Sequence, residues 1–183
     1  MSKRITVQLN EESVQNAIDE IEKYRDSLVW KCTVLVSELQ KIGIDTAVEN
    51  VGKYGTLIIF EEQIGVRQTA TGAKCCIKAK DAMKIISEWM YKGEVKTAEV
   101  SPLLMAEFGS GHYALDDANV PGVGQGTFPG QKHAFDPQGW WWVDPQGQKH
   151  HSKGQVPTLP MHKAIVEMRE QIVEVARRVF ADG

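Results

Sequence analysis

Two adjacent residue pairs are the side chains of this 183-residue chain best suited to bind a metal ion. His150 and His151 are neighbours, as are Cys75 and Cys76. Successive side chains of a strand point to opposite faces, so two neighbours on a strand cannot both bind one metal ion without distortion. We therefore expect no metal site at either pair. The cysteines are better explained as one buried, small apolar side chain and one that is partly exposed.

A serine and three glycines superficially resemble reaction sites. Ser110 and His112 lie in a Phe-Gly-Ser-Gly-His segment, as a nucleophile and a base would in a hydrolase. The segment lacks the second glycine of the Gly-x-Ser-x-Gly elbow, and it follows a predicted helix where the elbow follows a strand. Gly122, Gly124 and Gly126 are spaced like a phosphate-binding loop, but no strand precedes them and no basic helix start follows. The sequence thus predicts no catalytic residue and no cofactor, and a small hydrolase is only an alternative.

Three consecutive tryptophans, Trp140 to Trp142, could stack on sugars or on bases. On a strand, one of the three rings points away from the other two. This alternation favours a mixed role, partly in the core and partly at an interface. A carbohydrate-binding module that uses this strand is an alternative, and it would need the rings to be exposed and coplanar.

Composition and charge limit the class of protein. The net charge of −3 and the pI near 6.0 argue against a dedicated nucleic-acid binder, which would carry a basic face. No apolar run approaches the roughly 20 residues of a membrane-spanning helix. Three cysteines cannot all pair internally, which fits a protein that is made in a reducing cytoplasm. We expect residues 1–183 to form a single domain whose partners are proteins.

The N-terminal elements are a short strand and a long helix. Residues 4–9 alternate between apolar and polar and predict a strand. Asn10 is a suitable N-cap for a helix that Gly43 would end, with a kink or break between Tyr24 and Ser27. If Arg25 occupies one seam position, spacings of four and three predict an apolar seam that packs within the subunit, and a free-standing coiled coil is the alternative. The seam consists of Val14, Ile18, Ile21, Leu28, Cys32, Leu35, Leu39 and Ile42.

The middle of the chain predicts an antiparallel meander. Residues 56–60 form a strand, Gln63 to Gly65 a turn, and residues 66–80 one or two further strands. The stretch 83–91 fits a helix or a strand, and we favour the strand. Lys92 and Gly93 would then form a hairpin turn, with residues 95–100 returning against it.

The last third combines a short helix, a long loop, a hairpin and a final helix. Ser101 is a good N-cap and Pro102 a good first residue for a helix that Gly109 would stop. A long irregular loop at about 110–138 follows. Residues 139–151 then predict a hairpin around an Asp-Pro-Gln-Gly turn.

The final helix, from Met161 to about Phe180, has an apolar seam with the same period as the first. That seam consists of Met161, Ile165, Met168, Ile172, Val175 and Val179. The predicted fold class is α+β, with an antiparallel sheet packed against a long N-terminal helix and a C-terminal amphipathic helix.

The order of several motifs resembles the tail-component or tail-completion protein family of long-tailed bacteriophages. The N-terminal half follows the layout of that family in phages of Gram-positive hosts. Its matching features are the capped helix with Asn16 to Ile21, Tyr24, and the helical stretch to Ile42-Gly43-Ile44. In the C-terminal half the motifs are Glu107-Phe108-Gly109-Ser110-Gly111, Gly126-Thr127-Phe128-Pro129-Gly130, Gly139-Trp140-Trp141-Trp142, Ser152-Lys153-Gly154, Pro157-Thr158-Leu159-Pro160-Met161 and Val179-Phe180.

The resemblance implies a structural protein of the virion neck, made in the host cytoplasm, that joins the DNA-filled head to the tail. Such subunits form rings, commonly hexamers, between head connector proteins and tail terminator or tail tube proteins. Genome DNA passes through the ring without specific binding, and no membrane is involved. The residues that we expect at the subunit interfaces are Glu107, Phe108, Gly109, Gly111, Phe128, Trp140, Trp141 and Trp142.

Overall fold

The computed structural model describes residues 8, 10–69, 71–114 and 136–181, which form three α-helices and six β-strands. In chain order the elements are α1 (Glu11–Asn50), β1 (Ile58–Thr69), β2 (Gly72–Asp81), β3 (Ile85–Tyr91), β4 (Glu94–Val100), α2 (Pro102–Phe108), β5 (Trp140–Val143), β6 (Lys149–Ser152) and α3 (Pro160–Ala181). One-turn 3-10 helices lie at Gly52–Tyr54 and Gly111–Tyr113. The predicted α+β class is confirmed. The predicted strand at 4–9, apart from Gln8, and residues 115–135 of the predicted loop lie outside the described residues.

The start of α1 is the predicted one, but its end is not. The Asn10 side chain accepts a hydrogen bond from the Ser13 N–H at 2.8 Å, which confirms the N-cap. The helix then continues through Tyr24 and Ser27 to Asn50, about 60 Å in all. Of the predicted kink or break, the break is therefore wrong, and so is the predicted end at Gly43. Gly43 serves close packing instead. A Cβ atom there would lie 2.6 Å from Ile77 Cδ1 and 2.7 Å from Met168 Sδ.

The strands form three separate two-stranded sheets: β1 with β2, β3 with β4, and β5 with β6. The meander predicted for the middle of the chain is therefore two separate hairpins, and the hairpin predicted at 139–151 is confirmed. The predicted turn at Gln63 to Gly65 is wrong, because β1 runs through it to Thr69. The strand favoured over a helix at 83–91 is confirmed as β3. It pairs antiparallel with β4, from Ile85 opposite Val100 to Tyr91 opposite Glu94, and Lys92-Gly93 forms the turn.

The chain divides into two compact units. The first contains Met1–Gly43, Glu62–Ile77 and Glu167–Gly183, and the second contains Ile44–Glu61 and Lys78–Val166. In the second unit the buried core consists of Val51, Tyr54, Ile58 and Ala106. Burial raises the pKa of the Tyr54 hydroxyl, which lies 4.0 Å from Met105 Sδ.

In the first unit, α1 and α3 run antiparallel to each other. Met168 of α3 lies at Gly43 of α1, Arg178 forms an ion pair with Glu38, and the Lys31 ammonium lies 5.9 Å from the centre of the Phe180 ring. Residues further along α3 therefore meet residues nearer the start of α1. Phe180, one residue before the last described residue of α3, thus lies near Lys31.

The seam of α1 is packed over only part of its length. Leu28, Cys32, Leu35, Leu39 and Ile42 are half-buried, as the sequence predicted. Val14, Ile18 and Ile21 are instead exposed, at 42%, 46% and 57%. The prediction that the whole seam packs within the subunit is therefore wrong for the first half of α1.

The seam of α3 is shifted from the predicted one. Val175 is buried, and Met161, Met168 and Val179 are half-buried. Ile165 and Ile172 are 51% and 44% exposed, so their predicted burial is wrong. The packed face contains Ala164 in place of Ile165. Both faces fit a helical period, so spacing alone could not distinguish them. Among the described residues, no helix is long and apolar enough to cross a membrane.

Candidate functional site

The motifs of the C-terminal half begin at α2, whose first turn is held by two side chains. Ser101 Oγ accepts the Leu104 N–H at 3.1 Å, which confirms the predicted N-cap. Asp81 Oδ1 accepts the Leu103 N–H at 2.9 Å and the Ser101 hydroxyl at 3.0 Å, and Asp81 Oδ2 pairs with Lys84 at 2.6 Å. Burial raises the pKa of Asp81, but these bonds from Lys84, Leu103 and Ser101 together lower it below its usual value.

Glu107 at the end of α2 caps the start of α3. Its carboxylate accepts the Met161 N–H and the His162 N–H, each at 2.8 Å. The residue before α3 is Leu159, which has no side-chain acceptor and has a positive φ of 58°. A carboxylate at a helix N-terminus also interacts favourably with the helix dipole. Glu107 thus supplies the cap that the local sequence of α3 lacks.

Two glycines of the first motif allow backbones to approach closely. Gly109 and Gly111 are buried and have positive φ angles of 71° and 60°. A Cβ atom on Gly109 would lie 2.6 Å from the Gln155 carbonyl oxygen, and one on Gly111 would lie 2.6 Å from the Trp140 ring. Any larger residue would collide with the neighbouring segment and would also adopt an unfavourable φ.

Residues 110–112 and 153–155 pair through their backbones. The Ser110 N–H donates to the Gln155 carbonyl at 2.9 Å, and the His112 N–H donates to the Lys153 carbonyl at 2.8 Å. The Ser110 hydroxyl oxygen accepts the Gln155 N–H at 3.0 Å. Ser110 is buried while His112 is exposed. The serine that could have been a nucleophile therefore binds a backbone amide between two segments of the same unit.

The tryptophan hairpin has two unlike faces. Trp141 is 71% exposed, whereas Trp140 and Trp142 are half-buried, which confirms the predicted alternation. In the antiparallel register, Trp141 lies opposite His151 and Trp142 opposite His150. The ring centres of these two pairs are 4.7 Å and 4.5 Å apart. The two histidines thus contact different tryptophans on opposite faces of the hairpin: His150 is stacked on Trp142, and His151 is tilted against Trp141.

Asp144 holds the turn of this hairpin. Its Oδ2 lies 2.9 Å from His150 Nε2, and its Oδ1 accepts the Gln146 and Gln148 N–H groups at 3.0 Å and 2.8 Å. The hydrogen bond with His150 is the largest cause of a lowered Asp144 pKa, and the two backbone bonds act in the same direction. The turn is therefore held by a carboxylate that stays ionised to a lower pH than usual.

The second histidine is held at the start of β5. His151 Nε2 lies 2.8 Å from the Gln138 carbonyl oxygen. This contact and the Trp141 ring fix the orientation of an exposed imidazole. Trp141 and His151 are both exposed and together form a small aromatic surface. Among the residues that the structure describes, no group of three or more His, Cys, Asp or Glu side chains could hold a metal ion.

The predicted interface residues have different surroundings. Gly109 and Gly111 are buried, and Glu107, Phe108, Trp140 and Trp142 are half-buried. Trp141 is exposed, and Phe128 lies outside the described residues. Six of the eight thus lie mainly inside the subunit, and their place at a subunit interface stays a prediction.

The chain was compared with protein families, with curated proteins and with solved structures. No family model, curated protein or solved structure matches this chain.

Sequence reasoning missed the residues that bind across the chain. Glu107 caps a helix 54 residues later, and no local pattern marks that contact. The sequence predicts the turn that begins at Asp144, but not the bond between the Asp144 carboxylate and His150. The outward apolar residues of α1 and α3 were assigned to the core because their spacing matches a core face.

Proposed function

We propose that this protein is a structural subunit of a bacteriophage neck, in which copies of the chain form a ring that joins the head to the tail. The observation that supports an assembly subunit is that more large apolar side chains are exposed than buried. Among the described residues, nine hydrophobic residues are buried and five of these are alanines, whereas nineteen large hydrophobic residues are exposed. A subunit that leaves so much apolar surface in water is stabilised by further association.

Some of the exposed apolar residues lie on an extended hairpin. On β3 and β4, Ile86, Tyr91 and Val95 are each at least 50% exposed. A two-stranded hairpin is marginally stable in water, and the edge of such a sheet can pair with another chain. This hairpin is therefore a suitable contact between neighbouring copies in a ring, where each copy uses one surface to bind the next.

The role in the neck comes from the resemblance of the ordered motifs. The glycines and Glu107 hold α2, the tryptophan hairpin and the start of α3 together, so these motifs serve the fold of a subunit. Motifs that only hold elements of the subunit together suit a structural protein, which acts through its contacts with other proteins. We propose the head connector and the tail terminator or tail tube as its partners, and the virion as its location.

The alternatives receive less support from the geometry. A carbohydrate-binding surface needs several coplanar, exposed rings, and only Trp141 of the three tryptophans is mainly exposed. A hydrolase needs a free nucleophile, and the Ser110 oxygen already accepts the Gln155 N–H. Titration with cell-wall glycans tests the first alternative, and Ser110→Ala tests the second.

The decisive experiment is a titrated complementation. A phage that lacks this gene should produce DNA-filled heads and separate tails, or tails with defective upper ends. Purified protein added to such an extract should restore infectivity in proportion to the number of particles, because a joining subunit is consumed stoichiometrically. Saturation at several subunits per particle supports the ring.

Two results would contradict the proposal. Full rescue at far below one subunit per particle would mean that the protein turns over as an enzyme. Normal joined particles without the gene would mean that the protein has no role in joining. The matched control is the Ser110→Ala variant, which should rescue as well as the parent if its only change is the loss of one hydrogen bond.

A further inference from the structure

α3 packs against the later part of α1, and the first 17 residues of α1 extend beyond the end of α3. We call Glu11 to Ser27 the α1 arm. Because α3 ends near Lys31, the arm continues past the last described residue of α3 by more than about four helical turns. Within the arm, Ala17 is buried and Ser13 is half-buried, and all other residues are exposed.

One side of the arm is apolar. Val14, Ile18 and Ile21 are spaced by four and three residues and therefore share a helical face. Tyr24, also exposed, lies three residues after Ile21 on the adjoining side of this stripe. The same spacing forms the contact face of paired helices. The stripe is thus shaped for a second helix.

The charge of the arm is strongly acidic. Its 17 residues include six acidic and two basic ones, a net charge of −4, while the rest of the chain carries +1. Arg25 is already bound to Asp26 at 3.0 Å and lies 3.9 Å from Glu22. A second copy of the arm would bring another −4 to the same contact. Like charges beside a helix interface destabilise it, so the charge favours a basic partner over a second copy.

We propose that the α1 arm is a docking surface for a basic amphipathic helix of another protein. The apolar face of that helix would cover Val14, Ile18 and Ile21, and its lysines or arginines would lie beside Glu11 and Glu22. This inference does not depend on the proposed role in the neck. The partner is a helix that carries an apolar stripe with positive charges beside it.

The test uses the full chain and designed peptides. The probe is an amphipathic Leu/Lys helix of about 20 residues, long enough to cover the arm, compared with a Leu/Glu helix of the same pattern and a scrambled Leu/Lys peptide. Fluorescence anisotropy should show saturable binding of the Leu/Lys helix alone, with one peptide per chain. Raising NaCl from about 0.05 M to about 0.5 M should weaken binding severalfold.

Two variants locate the surface. Ile18→Asp should weaken binding by roughly tenfold or more, because it places a charge in the apolar contact. The matched control is Ile172→Asp on α3, which makes the same change at a similarly exposed position and should leave binding unchanged. Glu11→Lys with Glu22→Lys should reverse the preference towards the Leu/Glu helix. The control for this double variant is Glu170→Lys with Glu174→Lys on α3, which should not reverse the preference.

Four outcomes would overturn the proposal. If the charge variants on α3 weaken binding of the Leu/Lys helix as much as those on the arm, the peptide is attracted unspecifically to an acidic protein. Self-association of the chain that Ile18→Asp abolishes would make a second copy the occupant. Binding only after removal of residues 1–7 would mean that the chain's own N-terminus occupies the face. Absence of binding by every peptide, before and after that removal, would show that the arm is no docking surface.

Discussion

The region around the glycine and tryptophan motifs and the pair of long helices differ in how they use their side chains. Around the motifs, Gly109, Gly111 and Ser110 lie buried between backbone segments that bond to each other. On α1 and α3, apolar residues such as Ile18 and Ile172 are exposed, although their spacing matches a core face. The described glycine, serine and Glu107 positions that look functional in the sequence therefore serve the fold, and the amphipathic helices present exposed apolar surface.

This difference changes where an interaction should be sought. A buried glycine or a helix-capping carboxylate can be essential to a protein without touching any partner. An exposed apolar stripe on a helix is the more direct indication of a contact with another chain. If this is correct, substitutions in the motif region should lower stability, and substitutions on the outward helix faces should leave stability nearly unchanged.

The largest effect is expected for Gly111→Ala. The new Cβ atom would lie 2.6 Å from the Trp140 ring and 2.7 Å from the Lys153 carbonyl oxygen. Overpacking of this kind costs about 1 to 3 kcal/mol, in addition to about 1 to 2 kcal/mol for a positive φ. Urea unfolding followed by tryptophan fluorescence should show a clear loss of stability.

Gly147→Ala is the matched control for that substitution. Gly147 also has a positive φ, of 83°, but no atom beyond its own residue and its two chain neighbours lies within 4 Å of the position that the alanine methyl group would take. It should lose only about 1 to 2 kcal/mol from the backbone conformation. Equal losses at the two positions would show that close packing at Gly111 contributes nothing.

A smaller effect is expected for Glu107→Ala. The substitution removes both acceptors at the start of α3, and loss of a helix cap costs about 0.5 to 2 kcal/mol. Amide hydrogen exchange at Met161 and His162 should become faster. Glu170→Ala, at an exposed position of α3, should stay within about 0.5 kcal/mol of the parent. Unchanged exchange at Met161 would mean that the cap is dispensable.

The elements that local chemistry determines could be predicted from the sequence. Asn10 and Ser101 cap helices because their side chains accept nearby N–H groups. Lys92-Gly93 and the Asp144 turn were predicted because residues at such positions favour tight turns. These signals lie within a few residues of the structure that they determine, so these two helix starts and these two turns are confirmed, whereas the turn predicted at Gln63 to Gly65 is not.

The features that depend on distant packing could not be predicted. Gly43 was expected to end a helix, and only its contacts with Ile77 and Met168 explain why it lies inside one. The buried face of α3 differs from the predicted one because a second face fits the same period. The cap from Glu107 joins residues 54 positions apart. In each case the partner that decides the outcome is far away in the sequence.

The smallest effect is expected for Ile172→Asp, which tests the outward face of α3 directly. Ile172 is 44% exposed, so a carboxylate there stays hydrated, and the free energy of unfolding should change by only about 0.5 kcal/mol. Val175→Asp lies three residues further along the same helix, where the side chain is 2% exposed. It should cost several kcal/mol, because burying an unpaired carboxylate is unfavourable. Thermal and urea unfolding of both variants measures the difference. If Ile172→Asp is as damaging as Val175→Asp in the isolated chain, then Ile172 belongs to the core and the contrast between the motif region and the helices is lost. If it is harmless in the isolated chain but prevents rescue in the complementation assay, then the outward face of α3 is a contact surface of the assembled particle.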